Sequence, residues 1–139
     1  MDSINLVNPI IASDSLILVT GVNGLVASHI VDQLLAANYR VRGTVRDLKR
    51  SSWVTDLFER RHGPGRLELI QVSDLAAPGI WPPAVKGVSG IISVAASVEL
   101  APTRPAEETA KEEVAAFRAL LVAAGASNTV KSVVYTSSA

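Results

Sequence analysis

The run Leu16–Thr20 (LILVT) closes on Gly21 and passes within a few residues into helical spacing, and nothing else in the chain narrows the fold as much. A short, unbroken apolar run ended by glycine reads as a strand buried on both faces, not as an amphipathic helix. From Gly24 the periodicity becomes helical, with Leu25, Ile30, Leu34 and Leu35 apolar and Asp32, Gln33 and Asn38 polar. Gly21, Gly24 and Ala27 stand three apart across this junction, in the string TGVNGLVASH. Gly21 suits a tight turn, Gly24 lets backbone N–H groups approach a pyrophosphate, and Ala27 lets the helix pack close to the sheet with its N-terminus facing the anion. The alternative is a glycine-rich connection that holds no ligand.

The rest of the chain repeats the alternation. Tyr39–Val45 (YRVRGTV) alternates apolar and polar side chains as a second strand, and a helix over Ser52–Arg61 stops before Gly63-Pro64-Gly65. Leu67–Val72 is a third strand. Pro78, Gly79, Pro82 and Pro83 leave room for a loop and one short helix before Gly87. Val88–Val94 is a fourth strand, Glu107–Ala124 a helix rich in Ala, Leu and Glu with Gly125 as its stop, and Val130–Thr136 a fifth strand. Strands separated by helices imply right-handed crossovers and an α/β, doubly wound parallel sheet of about five strands in the order 3-2-1-4-5. The expected organisation is a polar leader over residues 1–15 and one domain over residues 16–139.

Composition agrees with a packed sheet and removes several functions. Of the 139 residues 48% are hydrophobic and 19% charged, too apolar for a disordered chain. Thirteen basic residues balance thirteen acidic ones, so no overall field draws nucleic acid or an anionic membrane. With no cysteine there is no disulfide, thiolate metal site or cysteine nucleophile. His29 and His62 have no carboxylates at metal-ligand spacing, so no metal is expected. The first fifteen residues lack the basic start of a signal peptide, and no apolar run reaches the ~20 residues of a membrane helix. A cytoplasmic protein is the expectation.

The second strand ends in VRGTVRDLKR, where a dinucleotide fold places the adenosine ribose. The Arg46 guanidinium there can hold a 2'-phosphate through two parallel hydrogen bonds, which favours NADP(H) over NAD(H). Asp47 next to it could instead accept from a free ribose hydroxyl, and Lys49 or Arg50 either adds a phosphate contact or is a solvated turn charge.

LVTGVNGLVASHIVDQLL followed by YRVRGTVRD resembles the start of the extended short-chain dehydrogenase/reductases, the NAD-dependent epimerase/dehydratase superfamily with its Rossmann-like fold, and in particular the dihydroflavonol-reductase-like and carbonyl (aldehyde) reductase-like branch. The resemblance continues to Ala139. It implies that Val22, Asn23, Gly24 and Leu25 lie along the pyrophosphate, that Arg46 meets the 2'-phosphate, and that Asp74 and Leu75 sit beside the adenine. Asp74 read from its neighbours alone could equally cap the following turn. GVSGIISVAASV resembles the strand and loop that pass the nicotinamide ribose, which brings Ala95 and Ala96 close to the cofactor. Two departures stand out: Ser93 where the family commonly has histidine, and EEVAAF (Glu112–Phe117) where it has a Gly-Thr-x-Asn type pattern.

SVVYTSSA resembles the family's fifth strand and makes Ser138 the serine that polarises the substrate carbonyl. The family's tyrosine proton donor, and the lysine four residues on, would come later. No tyrosine in these 139 residues has a lysine at that spacing, and Tyr135 reads as a packing residue. Three functions therefore compete. The first is the NADP(H)-binding part of an oxidoreductase that reduces a small-molecule carbonyl, truncated after the fifth strand and inactive in hydride transfer on its own. The second is a non-catalytic NADP(H)-binding or regulatory module, with self-association through the fifth strand's exposed edge. The third is a non-redox isomerase or cyclase built on the same fold.

Overall fold

The structure, a computed structural model, describes residues 4–96 and 103–137. Its elements are β1 (Leu16–Val19), α1 (Leu25–Ala36), β2 (Arg40–Val45), α2 (Ser52–His62), β3 (Leu67–Gln71), α3 (Trp81–Ala84), β4 (Val88–Ser93), α4 (Ala106–Ala126) and β5 (Ser132–Tyr135). The five strands form one sheet in the order β3-β2-β1-β4-β5, and every neighbouring pair is parallel. The expected fold class and strand order are therefore present, with element ends shifted by a residue or two.

Both faces of the sheet are covered, because side chains alternate across each strand. On β1, Ile17 and Val19 join the core made with Val31 and Leu35 of α1 and Val54 and Phe58 of α2. Leu16 and Leu18 point the other way, into a core with Trp81 and Ala84 of α3 and Leu120, Ala123 and Ala124 of α4. A strand buried on both sides needs the unbroken apolar run that LILV supplies.

One helix end departs from expectation. Gly125 lies within α4 in place of ending it, and Ser127, with an extended backbone, forms the cap. The Ser127 hydroxyl accepts the Thr129 N–H, a local turn that terminates the helix without a left-handed glycine. At the end of α1 it is Asn38 that takes the left-handed conformation, at φ 66°.

Residues 4–15 form neither helix nor strand but are tied to the domain. Ile4 N–H donates to Ala36 O at 3.0 Å, Asp14 N–H to Asn38 O at 2.8 Å, and the Tyr39 hydroxyl to Ile11 O at 2.8 Å. Asp32 fastens α1 to α2: its Oδ1 is hydrogen-bonded to the His62 Nε2 at 2.7 Å and its Oδ2 pairs with Arg61 at 3.1 Å. No described helix is long and apolar enough to cross a membrane.

Candidate functional site

The strand order reverses at β1, with β2 and β3 added on one side and β4 and β5 on the other. In an open parallel sheet the crevice beyond the carboxyl ends of such strands is where ligands bind. A cleft of about 820 Å³ lies there, within the usual size of a small-molecule site. Its floor is the β1–α1 turn, one wall follows the ends of β2 and β3 (Arg46, Ser73, Asp74, Leu75), and the other follows the end of β4 and α4 (Val94, Ala95, Ala96, Glu112, Glu113).

The turn is shaped by what it must avoid. Gly21 has φ +68°, a conformation that costs other residues, and a Cβ there would stand 3.0 Å from the Ala95 Cβ. Glycine thus brings the turn against the loop after β4. Two buried threonines hold both sides of this contact. Thr44 Oγ1 accepts the Gly21 N–H at 2.9 Å, and Thr20 Oγ1 accepts the N–H groups of Val94 and Ala95 at 2.8 and 2.9 Å. Below the turn, Val22 packs so tightly on β2 that a Cβ on Gly43 would lie 2.6 Å from a Val22 methyl.

The start of α1 is open to an anion. Gly24 is the N-cap, no side chain caps the helix, and its first turn holds no acidic residue. The unpaired N–H groups of that turn and the helix dipole present a positive end to the cleft. At the β2 end Arg46 is exposed, and among the described residues it has no ion-pair partner. Asp47 is occupied in its own turn: Oδ1 accepts the Arg50 N–H at 3.1 Å and Oδ2 lies 3.9 Å from the Arg50 guanidinium. Asp74 Oδ1 accepts the Ala76 N–H at 2.9 Å, so this residue does cap the turn after β3 while also lining the cleft.

The structure thus brings Gly21, Asn23, Gly24, Leu25, Arg46, Asp74, Leu75, Ala95 and Ala96 to one cleft. Val22 is fully buried beneath it, and Lys49 lies on the exposed turn beyond Arg46, outside the lining. Ser138 falls outside the described residues. Tyr135 packs against Phe117 with ring centroids 4.3 Å apart and the planes tilted by 44°. Sequence reasoning passed over Thr20 and Thr44, and marked Glu112 and Glu113 only as part of a departure from the family pattern. Thr44 carried a signal, as a hydroxyl between glycine and valine in a buried strand. The two glutamates were visible as a departure, but local patterning gave them no place at the cleft, because only the β4–α4–β5 crossover brings α4 there. Among the described residues no group of three His, Asp or Glu is arranged to hold a metal.

A second recess of about 790 Å³, between α3 and α4, is lined mainly by apolar residues such as Pro78, Trp81, Val85 and Val122. Lys86, Arg118, Ser127, Asn128 and Thr129 complete its lining.

The chain is 45% identical to the ketoreductase adrE of Penicillium rubens over 136 residues, which is 94% of this chain and 39% of that protein. It is 35% identical to aldehyde reductase 2 of Sporidiobolus salmonicolor over 131 residues, 94% of this chain and 37% of the relative. Gre2 of Candida albicans, solved with NADPH, superposes with a TM-score of 0.74 at 27% identity, covering 89% of this chain and 37% of that one. The chain therefore spans under two-fifths of the length of these relatives. Residues 17–139 match the NAD dependent epimerase/dehydratase family, and the chain belongs to that family.

Proposed function

We propose that this chain is the NADP(H)-holding part of a reductase that acts on aldehyde or ketone carbonyls. The observation that carries the reading is the pairing of an uncapped α1 N-terminus, approached through the Gly21–Gly24 turn, with an exposed Arg46 at the end of β2. An anionic diphosphate fits the first and a 2'-phosphate the second. The turn bond from the Arg50 N–H to Asp47 Oδ1 occupies one oxygen of the residue that would have suited a free ribose hydroxyl. The relatives named as ketoreductase and aldehyde reductase support the carbonyl class.

The bound cofactor would supply the hydride. The chain's own part is to bind and orient it. Gly21, Gly24 and Leu25 border the diphosphate, Arg46 holds the 2'-phosphate, Asp74 and Leu75 flank the adenine, and Ala95 and Ala96 pass the nicotinamide ribose. Lys49 stands near enough in sequence to add a second phosphate contact from the turn, and Ser138 takes the carbonyl-polarising position. The 139 residues hold no tyrosine with a lysine four positions on, so the chain alone is expected to bind the dinucleotide without turning over aldehydes.

Calorimetric titration with NADPH and NADH, repeated on Arg46→Ala, tests the reading. NADPH should bind more tightly than NADH, and the variant should lose about 1.5–3 kcal/mol towards NADPH, the worth of a charge-assisted hydrogen-bond pair, with little change towards NADH. Equal loss for both cofactors, or no binding of either, would refute it.

A further inference from the structure

Side chains alternate along β3, and Leu67 and Leu69 go into the core shared with α1 and α2. Gln71 is the next residue on that face, but it is polar and exposed, and it pairs with Val45 where the turn from β2 to α2 begins. That turn carries Arg46. Within itself it is closed by the Arg50 N–H on Asp47 Oδ1 and the Ser51 N–H on Leu48 O. The last backbone bond between β2 and the end of β3 runs from the Val72 N–H to Val45 O at 2.8 Å, one residue short of Arg46. Past it, among the described residues, side chains join the turn to the end of β3.

These links run in one direction. The Leu48 N–H donates to Gln71 Oε1, Gln71 Nε2 donates to the Ser73 hydroxyl, and that hydroxyl donates to the backbone carbonyl of Arg46, each at 3.4 Å. The amide group suits both ends, accepting from one neighbour and donating to the next. With its oxygen and nitrogen exchanged it would face the Leu48 N–H with a second donor. Ser73 and Arg46 line the cleft, and Gln71 stands outside the lining. At this length and exposure each bond contributes little to folding. What the relay holds is the backbone on both sides of Asp47, and with it the point from which the Arg46 side chain sets out.

From this geometry, and resting on the NADP(H) reading above, we infer that Gln71 is a positioning residue for the 2'-phosphate. Through Ser73 and Leu48 it keeps the turn where the Arg46 guanidinium can make two parallel hydrogen bonds, an arrangement strict in its geometry. Loosening the turn therefore weakens NADPH and spares NADH, which has no 2'-phosphate.

The test is calorimetric titration with NADPH and NADH of the unaltered chain, of Gln71→Met, which keeps the length and drops the amide, of Arg46→Ala, and of the double variant. Gln71→Met should lower the affinity for NADPH by about twofold to tenfold, the worth of one such hydrogen bond, and leave NADH unchanged. In the Arg46→Ala background it should change neither cofactor, because the contact it positions is gone. Equal losses for the two cofactors, or a loss that persists without Arg46, overturn the inference. Unmoved NADPH binding in Gln71→Met, with Arg46→Ala still selective against NADPH, overturns the role of Gln71 and leaves the NADP(H) reading standing. Failure of the unaltered chain to bind NADPH removes that reading, and this one with it. Should Gln71→Met fail to fold, Gln71→Ala decides on the same comparison.

Discussion

Thr44 shows how a single hydroxyl can hold a binding turn. Its Oγ1 accepts the Gly21 N–H, and its backbone carbonyl accepts the Val22 N–H at 3.1 Å, so one residue of β2 fixes two successive groups of the β1–α1 turn. Thr44 is 2% exposed, which leaves water no access to replace the bond. Thr44→Val keeps the shape but strands the Gly21 N–H, and should cost about 1–3 kcal/mol in urea unfolding and weaken NADPH binding as the turn relaxes. Thr44→Ser should restore both. If valine and serine behave alike, the hydroxyl does not hold the turn.

At the scale of elements, the helices are held by few side chains, and α4 is the plainest case. It runs for 21 residues, yet only Leu120, Ala123 and Ala124 along it are buried. Because Ala removes little surface from water, Leu120 carries most of the docking to the sheet. Leu120→Ala should destabilise the chain by about 2–5 kcal/mol in thermal or urea unfolding, and Val122→Ala, at a position 66% exposed, by no more than about 0.5 kcal/mol. Equal effects would show that α4 is not anchored through Leu120. Glu113 rides on the same helix, so an undocked α4 would also take it from the cleft wall.

For the molecule as a whole, the two sheet edges differ. The β3 edge carries Glu68 and Gln71, both exposed, and Glu68 is engaged by Arg42. The β5 edge shows Val134 and Tyr135, 51% and 48% exposed. A parallel edge with apolar side chains and no charge invites pairing. Self-association of the isolated chain through this edge is the expected behaviour, and Val134→Lys should lower its concentration dependence in sedimentation velocity. A monomer at every concentration, or association indifferent to the lysine, would exclude β5 as the contact.

How far the letters reached depended on the range of the interaction. The β1–α1 junction was legible because a buried strand, a positive-φ turn and an uncapped helix start each leave a mark within ten residues: an unbroken apolar run, Gly21, and Gly24 with no acidic residue following. The same holds for the strand order, since alternating strands and helices allow few right-handed windings. Asp47 and Asp74 were ambiguous on paper because a carboxylate that caps a turn and one that meets a ligand look alike in sequence; the coordinates show that each accepts an N–H of its own turn, while Asp74 also lines the cleft. The end of α4 was misjudged because a glycine can also be an ordinary helical residue when another cap follows. Of the far wall, the resemblance gave Ala95 and Ala96 and marked the departure at Glu112–Phe117, but no local pattern tied these residues to the β1–α1 turn. Glu113 is separated from Gly21 by more than ninety residues, and no periodicity or spacing links them. They line one cleft only because β1 and β4 pair in parallel and α4 packs back across that pair, a long-range arrangement set by burying two apolar faces at once.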